Sequence, residues 1–287
     1  MKNIIEKSIK QKLTDLKSEE TKTMFSKIST NIKLLETVIK EQQNILKERE
    51  RRCNIEEEKT LILNSKKNKV FLSFNGGKDC TAALIFLKYY YFTQENSLNP
   101  GEFSSYKLFC TKEREYKINE NNNIVLIYFF RPDTFKEEVD YCYSISKREN
   151  FQMVVVFSDY KTGMYYLKKE FSLENIFMGI RKDDISFNTN KEISIDDLIQ
   201  VSDGNYPKFK RAYPIFQLDY SEVWMLILQV NYPYLTLYDN GFTSIGRKSK
   251  TLKNDSIIFE NNENALEYFP AYCLKDLESE RAYRKLD

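Results

Sequence analysis

Val70-Phe71-Leu72-Ser73-Phe74-Asn75-Gly76-Gly77-Lys78-Asp79-Cys80 is the stretch from which the fold is read. A short apolar run breaks at Asn-Gly-Gly. The apolar positions then recur at three- and four-residue steps through Ala82, Ala83, Ile85, Phe86, Tyr89 and Tyr90. That change of period predicts a strand, a glycine turn and a helix. Two glycines let a backbone pass close to an anion and aim successive N–H groups at it, and the helix behind them adds its positive end. Lys78 is expected to supply a mobile positive charge, and Ser73 and Asn75 neutral hydrogen bonds. The Walker A spacing G-x-x-x-x-G-K-[ST] is absent, so this is a phosphate loop of another kind.

Working downstream, residues 124–130 form a nearly continuous apolar strand and 134–149 a helix. A strand at 153–157, a helix at 164–171 and a strand at 176–179 follow. Buried, unalternating strands separated by helices predict an α/β fold: a doubly wound, mainly parallel sheet with helices on both faces. Ligands in such sheets sit outside the carboxyl ends of the strands. That edge gathers 75–77, 131–134, 158–159 and 179–184. The polar stretch 94–123 reads as an insertion, 182–203 as loose and polar, 220–230 as a helix carrying Trp224 in its apolar stripe, and 232–246 as turn-rich with a structural Thr243-Ser244. Upstream, residues 1–60 hold no Gly or Pro and carry an amphipathic stripe, predicting one long or two consecutive helices with a solvated charged face. The division expected is 1–60, a helical extension, and 61–287, the main domain. The latter comprises a nucleotide-binding core (61–184) and an irregular substrate-binding subregion (185–287).

Composition narrows the chemistry. In 287 residues, 44 Lys and Arg stand against 42 Asp and Glu, a formal charge of +2 that gives no bulk attraction for nucleic acid. There is no histidine at all, which removes Ser-His-Asp and Cys-His catalysis and H-E-x-x-H zinc sites. Five scattered cysteines without a C-x-x-C pair argue against a disulfide framework, an iron–sulfur cluster or structural zinc. No run of about 18 apolar residues exists to cross a membrane, and the first residues lack the apolar region of a signal peptide. The expectation is a cytoplasmic, monomeric protein with no nucleic-acid or membrane partner.

Ser73-x-Asn75-Gly76-Gly77-Lys78-Asp79-Cys80 resembles the pyrophosphatase-type loop of the ATP-pyrophosphatase (PAPS reductase-like) superfamily, and among its branches the eukaryotic-type FAD synthases. Three further blocks are similar to that branch. Gly179-Ile180-Arg181-Lys182-Asp183-Asp184 resembles Gly-x-Arg-x-Thr-Asp. Asp203-Gly204-Asn205-Tyr206-Pro207-Lys208-Phe209-Lys210-Arg211 resembles Asp-x-x-Trp-Pro-x-Phe-x-Arg. The run 237–246 resembles Leu-Tyr-Asp-x-Gly-Tyr-Thr-Ser-Leu-Gly. The pattern departs at Lys136, Asp183, Tyr206 and Tyr283, which stand for Pro, Thr, Trp and Gly.

The resemblance implies an FMN adenylyltransferase that uses ATP and FMN with Mg²⁺ and yields FAD and pyrophosphate. The attacking FMN phosphate is already an oxyanion, so no histidine base is required, and positioning and charge neutralisation carry the catalysis. It further implies an ATP and phosphate site of Ser73, Phe74, Asn75, Gly76, Gly77, Lys78, Asp79, Arg131, Gly179 and Arg181. The flavin site would comprise Asp184, Asp203, Tyr206, Arg211, Arg281 and Arg284. Catalytic roles fall to Asn75, Lys78, Asp79, Asp184 and Arg211, and metal ligation to Asp79 and Asp184. Two alternatives stay open at this point: a phosphoadenylyl-sulfate reductase-like enzyme, weakened because Cys273 lacks a Glu-Cys-Gly setting, and a non-catalytic flavin- or nucleotide-binding scaffold.

Overall fold

A computed structural model describes residues 69–95, 124–184, 198–261 and 263–285, together with 22–24, 26–28, 30, 31, 36, 38, 40 and 44. The predicted 94–123 insertion beyond residue 95 and most of the predicted N-terminal extension lie outside the described residues.

Six strands make one sheet in the order β3-β2-β1-β4-β6-β5, where β1 is Val70–Ser73, β2 Ile124–Phe129, β3 Gln152–Val156, β4 Asn175–Met178, β5 Ile199–Val201 and β6 Lys210–Ala212. All neighbours run parallel except β5, which lies antiparallel on β6. The chain steps outward from β1 to β3 and then returns to place β4 on the other side of β1. The order of connection therefore reverses between β1 and β4, where such sheets open a crevice.

Alternation along β1 and β2 explains the two-sided core. Leu72 and Leu126 face one cluster, packed by helices α1 (Lys78–Glu95), α2 (Lys136–Glu149) and α4 (Tyr220–Gln229). Phe71, Val125 and Ile127 face the other, covered by α3 (Tyr160–Phe171) through Met164 and Leu167. Helix α3 begins earlier than its apolar period suggests because the Asp159 carboxylate accepts a hydrogen bond from the Thr162 N–H and caps it. Trp224 is fully buried in α4 with its indole edge-on to Tyr234 and Tyr238, the core role expected of it.

Of the expected subregion 185–287, residues 198–212 join the core, since β5 and β6 extend the sheet beyond β4. These strands escaped the sequence reading because each is three residues long and polar at Gln200, Lys210 and Arg211. Met24, Ile28 and Val38, in helical segments, are buried in the α1 and α4 core. Asn31 donates to the Pro214 carbonyl, and Lys27 pairs with the capping-box carboxylate Glu222 at 2.8 Å.

Candidate active site

The loop after β1 is built by its own side chains. The Phe74 N–H still donates to the Ile127 carbonyl (2.9 Å), and its ring is buried against Tyr141. Phe74 thus gives the site backbone, not side chain. Asn75 is exposed, and its Oδ1 accepts from the Gly77 N–H (3.2 Å) and the Cys80 thiol (3.1 Å). Gly76 has φ +80°, the left-handed region, and a Cβ there would lie 2.9 Å from the Tyr141 ring. The Lys78 N–H donates to the Tyr238 hydroxyl at 2.9 Å. Two of the N–H groups expected to meet an anion are therefore held by side-chain oxygens.

Lys78 differs from expectation. Its side chain is 1% exposed, so it is not a mobile charge. Its Nζ lies 2.5 Å from Glu280 Oε1, 3.0 Å from Asp79 Oδ2 and over the ring of Tyr220. Arg181 completes the same cluster, with Nη2 2.6 Å from Glu280 Oε2 and Nε 3.0 Å from Asp79 Oδ1. Asp184 accepts from the Arg181 N–H at 3.0 Å and from the Arg281 guanidinium. Three cations and three carboxylates thus neutralise one another beneath the loop, as buried charges must.

Burial pushes the Asp79 carboxyl up, but the Lys78 and Arg181 charges beside it win and hold it below the usual carboxylate range. Asp184 moves the other way: burial and the Asp79 charge raise it against the pull of Arg181 and Arg281. Arg181 is disfavoured as a cation by burial, yet Asp79, Glu280 and Asp184 keep it firmly protonated.

These commitments bear on the expected metal ligands. Both oxygens of Asp79 and both of Asp184 already face cations or an N–H group. Among the described residues no group of three or more His, Cys, Asp or Glu side chains converges to hold a metal ion. The carboxylates present do not fit a protein-held metal.

Above the cluster a cavity of about 540 Å³ opens at the carboxyl ends of the strands. The loop contributes Ser73, Asn75, Gly77 and Asp79; the strand ends contribute Phe129, Ser158 and Gly179. Arg131, Arg247, Arg281 and Arg284 also line it. Four guanidiniums around one cavity suit a polyanion, since the planar fork matches phosphate oxygens. Gly179 serves a close approach: a Cβ there would lie 2.4 Å from the Cys80 backbone nitrogen.

The flavin block is the turn between β5 and β6. Asp203 is exposed and makes an Asx turn, accepting from the Asn205 N–H at 3.0 Å, with its other oxygen 3.9 Å from Arg211 Nη2. Tyr206 packs edge-on against Tyr160, centroids 5.8 Å apart, and Tyr160 lines the cavity. The structure thus brings together the loop, Arg131, Gly179, Arg281 and Arg284, with Arg181 and Asp184 just beneath. Asp203, Tyr206 and Arg211 do not line the cavity themselves and reach it through Tyr160.

Glu280, Tyr238, Arg247 and Tyr160 were missed by sequence reasoning. Tyr238 lies inside the block 237–246, and Arg247 directly follows it. Glu280 adjoins Arg281, but nothing in local spacing reveals a partner 202 residues away.

Residues 69–253 match the phosphoadenosine phosphosulfate reductase domain family. A probable FAD synthase of Schizosaccharomyces pombe is 30% identical over 220 residues, covering 74% of this chain and 70% of that protein. The chain belongs to the eukaryotic-type FAD synthases. The flavin adenine dinucleotide synthase of Saccharomyces cerevisiae is similar at 29% identity, covering 74% of this chain and 68% of its own length. The fold is that of Candida glabrata FMN adenylyltransferase, solved in complex with FMN and an ATP analogue. The TM-score is 0.64 at 20% identity, covering 98% of each chain.

Proposed function

We propose that this chain makes FAD, transferring AMP from ATP to the phosphate of FMN with release of pyrophosphate. The observation that carries the reading is the cavity itself. A phosphate loop and four arginines, Arg131, Arg247, Arg281 and Arg284, share one cavity at the strand-order reversal. A phosphate oxygen of FMN forms a bond to the α-phosphorus of ATP while the bond from that phosphorus to the bridging oxygen breaks in line. Pyrophosphate leaves with the electron pair, and no proton need be moved, in keeping with a chain devoid of histidine.

The chain's own part is orientation and neutralisation. On this reading the loop from Ser73 to Asp79 takes the leaving β- and γ-phosphates, exchanging the Asn75 and Tyr238 oxygens on the Gly77 and Lys78 N–H groups for phosphate oxygens. The exposed Arg131 and the tail arginines Arg281 and Arg284 take charge that builds on the phosphates. Lys78, Asp79, Arg181 and Asp184 act from beneath as the frame that fixes the loop and Arg281. Asp203, Tyr206 and Arg211 take the flavin ring side. Any Mg²⁺ would be held by the phosphates of ATP and would supply further charge neutralisation there.

Cys273 ends the short 3₁₀ helix Ala271–Cys273 and is buried, which leaves no exposed thiol for a reductase at that position. Among the described residues no helix is long and apolar enough to cross a membrane. We take the protein to act on small molecules as a cytoplasmic monomer; its formal charge of +2 offers no bulk attraction for nucleic acid.

The test is flavin chromatography after incubating the pure protein with FMN, ATP and Mg²⁺. FAD and pyrophosphate should appear in equal amounts. FMN left unchanged by protein that binds both substrates would overturn the reading.

A further inference from the structure

Tyr160 is the first residue of α3, fixed there by the Asp159 cap at the carboxyl edge of the sheet. Its ring is gripped from two sides, by Phe129 at a centroid distance of 4.9 Å and by Tyr206 at 5.8 Å. The residue lines the cavity. Yet its hydroxyl oxygen is shielded from solvent and has no hydrogen-bond partner among the described residues. The Nε of Arg211 is in the same condition. Arg211 lies on β6, just after the turn that carries Tyr206, and its charge acts on the Tyr160 hydroxyl.

A buried hydroxyl without a partner costs free energy, and buried polar groups in folded proteins are almost always satisfied. Two such groups on either side of Tyr206, one of them on a cavity-lining ring that packing holds still, point to a polar partner. The partner must be flat, to lie along the aromatic wall of Phe129 and Tyr160, and must carry acceptors for a hydroxyl and a guanidinium N–H. The isoalloxazine ring offers two carbonyl oxygens and ring nitrogens along one edge. Adenine has no carbonyl and presents an amine there instead.

We infer that Tyr160 is a specificity-determining residue for the flavin, its hydroxyl donating to an acceptor on the polar edge of the isoalloxazine ring beside Arg211. The inference rests on the proposed FAD synthesis and adds to it a residue that no motif marks. Burial pushes the Tyr160 hydroxyl up to about 12, so it remains a donor throughout the neutral range.

Tyr160→Phe in the full chain removes one oxygen and leaves the wall intact. FMN binding, followed by quenching of its own fluorescence without ATP, should weaken about three- to tenfold, the worth of one hydrogen bond to a neutral group. The KM for FMN should rise by the same factor while the KM for ATP stays put. Unliganded protein should melt at the same temperature or higher, because the substitution removes an unsatisfied group. Unchanged FMN affinity, an equal loss toward ATP, or a lower melting temperature without ligand would each overturn the assignment. The last result would make the hydroxyl structural. Wild-type protein that fails to quench FMN would overturn the flavin reading as a whole, whereas wild-type quenching matched by Tyr160→Phe would overturn this inference alone.

Discussion

Glu280 and Lys78 stand 202 positions apart in the chain, and their side chains meet at 2.5 Å with almost no exposure to solvent. The other oxygen of the same carboxylate takes Arg181. The Thr243 hydroxyl donates to the Glu280 carbonyl, and Asn254 links Thr243 to Ser279. The short 3₁₀ helix Leu277–Arg281 is thereby fastened to the phosphate loop, and the fastening is what brings Arg281 and Arg284 to the cavity.

Glu280→Gln keeps the shape and removes the charge, leaving two buried cations short of a carboxylate. Losing one partner of such a cluster costs about 3–5 kcal/mol. Urea denaturation should report a loss of that order, and FAD formation should fall with it as the tail arginines lose their seat. A variant that unfolds with the wild type would refute the fastening.

Asn75→Ala should separate activity from stability. The side chain is exposed and holds one N–H and one thiol, so its loss should cost only about 1 kcal/mol. Turnover should nevertheless drop about a hundredfold or more, as when a preorganised polar contact to a transition state is removed. Asp79→Ala, by contrast, should lower both, because Asp79 pairs with the buried Lys78 and Arg181. Rates for Asn75→Ala equal to wild type would rule the loop out of the chemistry.

The same contrast shows what the sequence makes legible. Strand, glycine turn and helix around Asn75-Gly76-Gly77 are local, and period and turn chemistry declare them. β1, β2 and β4 are readable because burial on both faces makes them continuous apolar runs, and the half-buried edge strand β3 because Met153 to Val156 is apolar throughout. The short polar strands β5 and β6 are not, since their place comes from pairing with β4 and with each other. At the site, the loop and the arginines carry recognisable types in recognisable patterns. The direction in which Lys78 points is decided by Glu280, a contact across most of the chain that no window of sequence contains.

Glu138 carries a pH dependence. It is buried near the start of α2, where it accepts a long 3.5 Å contact from the Tyr128 hydroxyl. Burial raises its carboxyl to about 7 from an ordinary 4.5, against the pull of Arg131 and Arg284. A carboxyl raised on folding stabilises the fold fully below its unfolded value and loses that contribution as the pH climbs through the folded one. Wild-type stability should therefore decline between about pH 4.5 and pH 7, by at most about 3 kcal/mol. Glu138→Gln should flatten that decline in melting experiments from about pH 5 to about pH 8.5. An identical slope in the variant would assign the decline to other groups.

Gly179 and Gly204 give a matched pair for the last expectation. Both belong to blocks that resemble the family pattern, and neither has a positive φ, so an alanine is conformationally allowed at each. Space alone distinguishes them. A Cβ on Gly179 would strike the backbone where the loop becomes α1, 2.4 Å from the Cys80 nitrogen and 2.6 Å from the Asp79 carbonyl oxygen. Backbone atoms cannot rotate out of the way as a side-chain end can, so β4 and the loop must part. Overpacking of this kind costs about 1–3 kcal/mol. It would also move Asp79 against Arg181, so Gly179→Ala should lower both the melting temperature and the rate of FAD formation. A Cβ on Gly204 meets nothing within 4 Å, and Gly204→Ala should stay within about 0.5 kcal/mol of wild type. Equal effects at the two positions would mean that the contact between β4 and the phosphate loop does not set the geometry of the site.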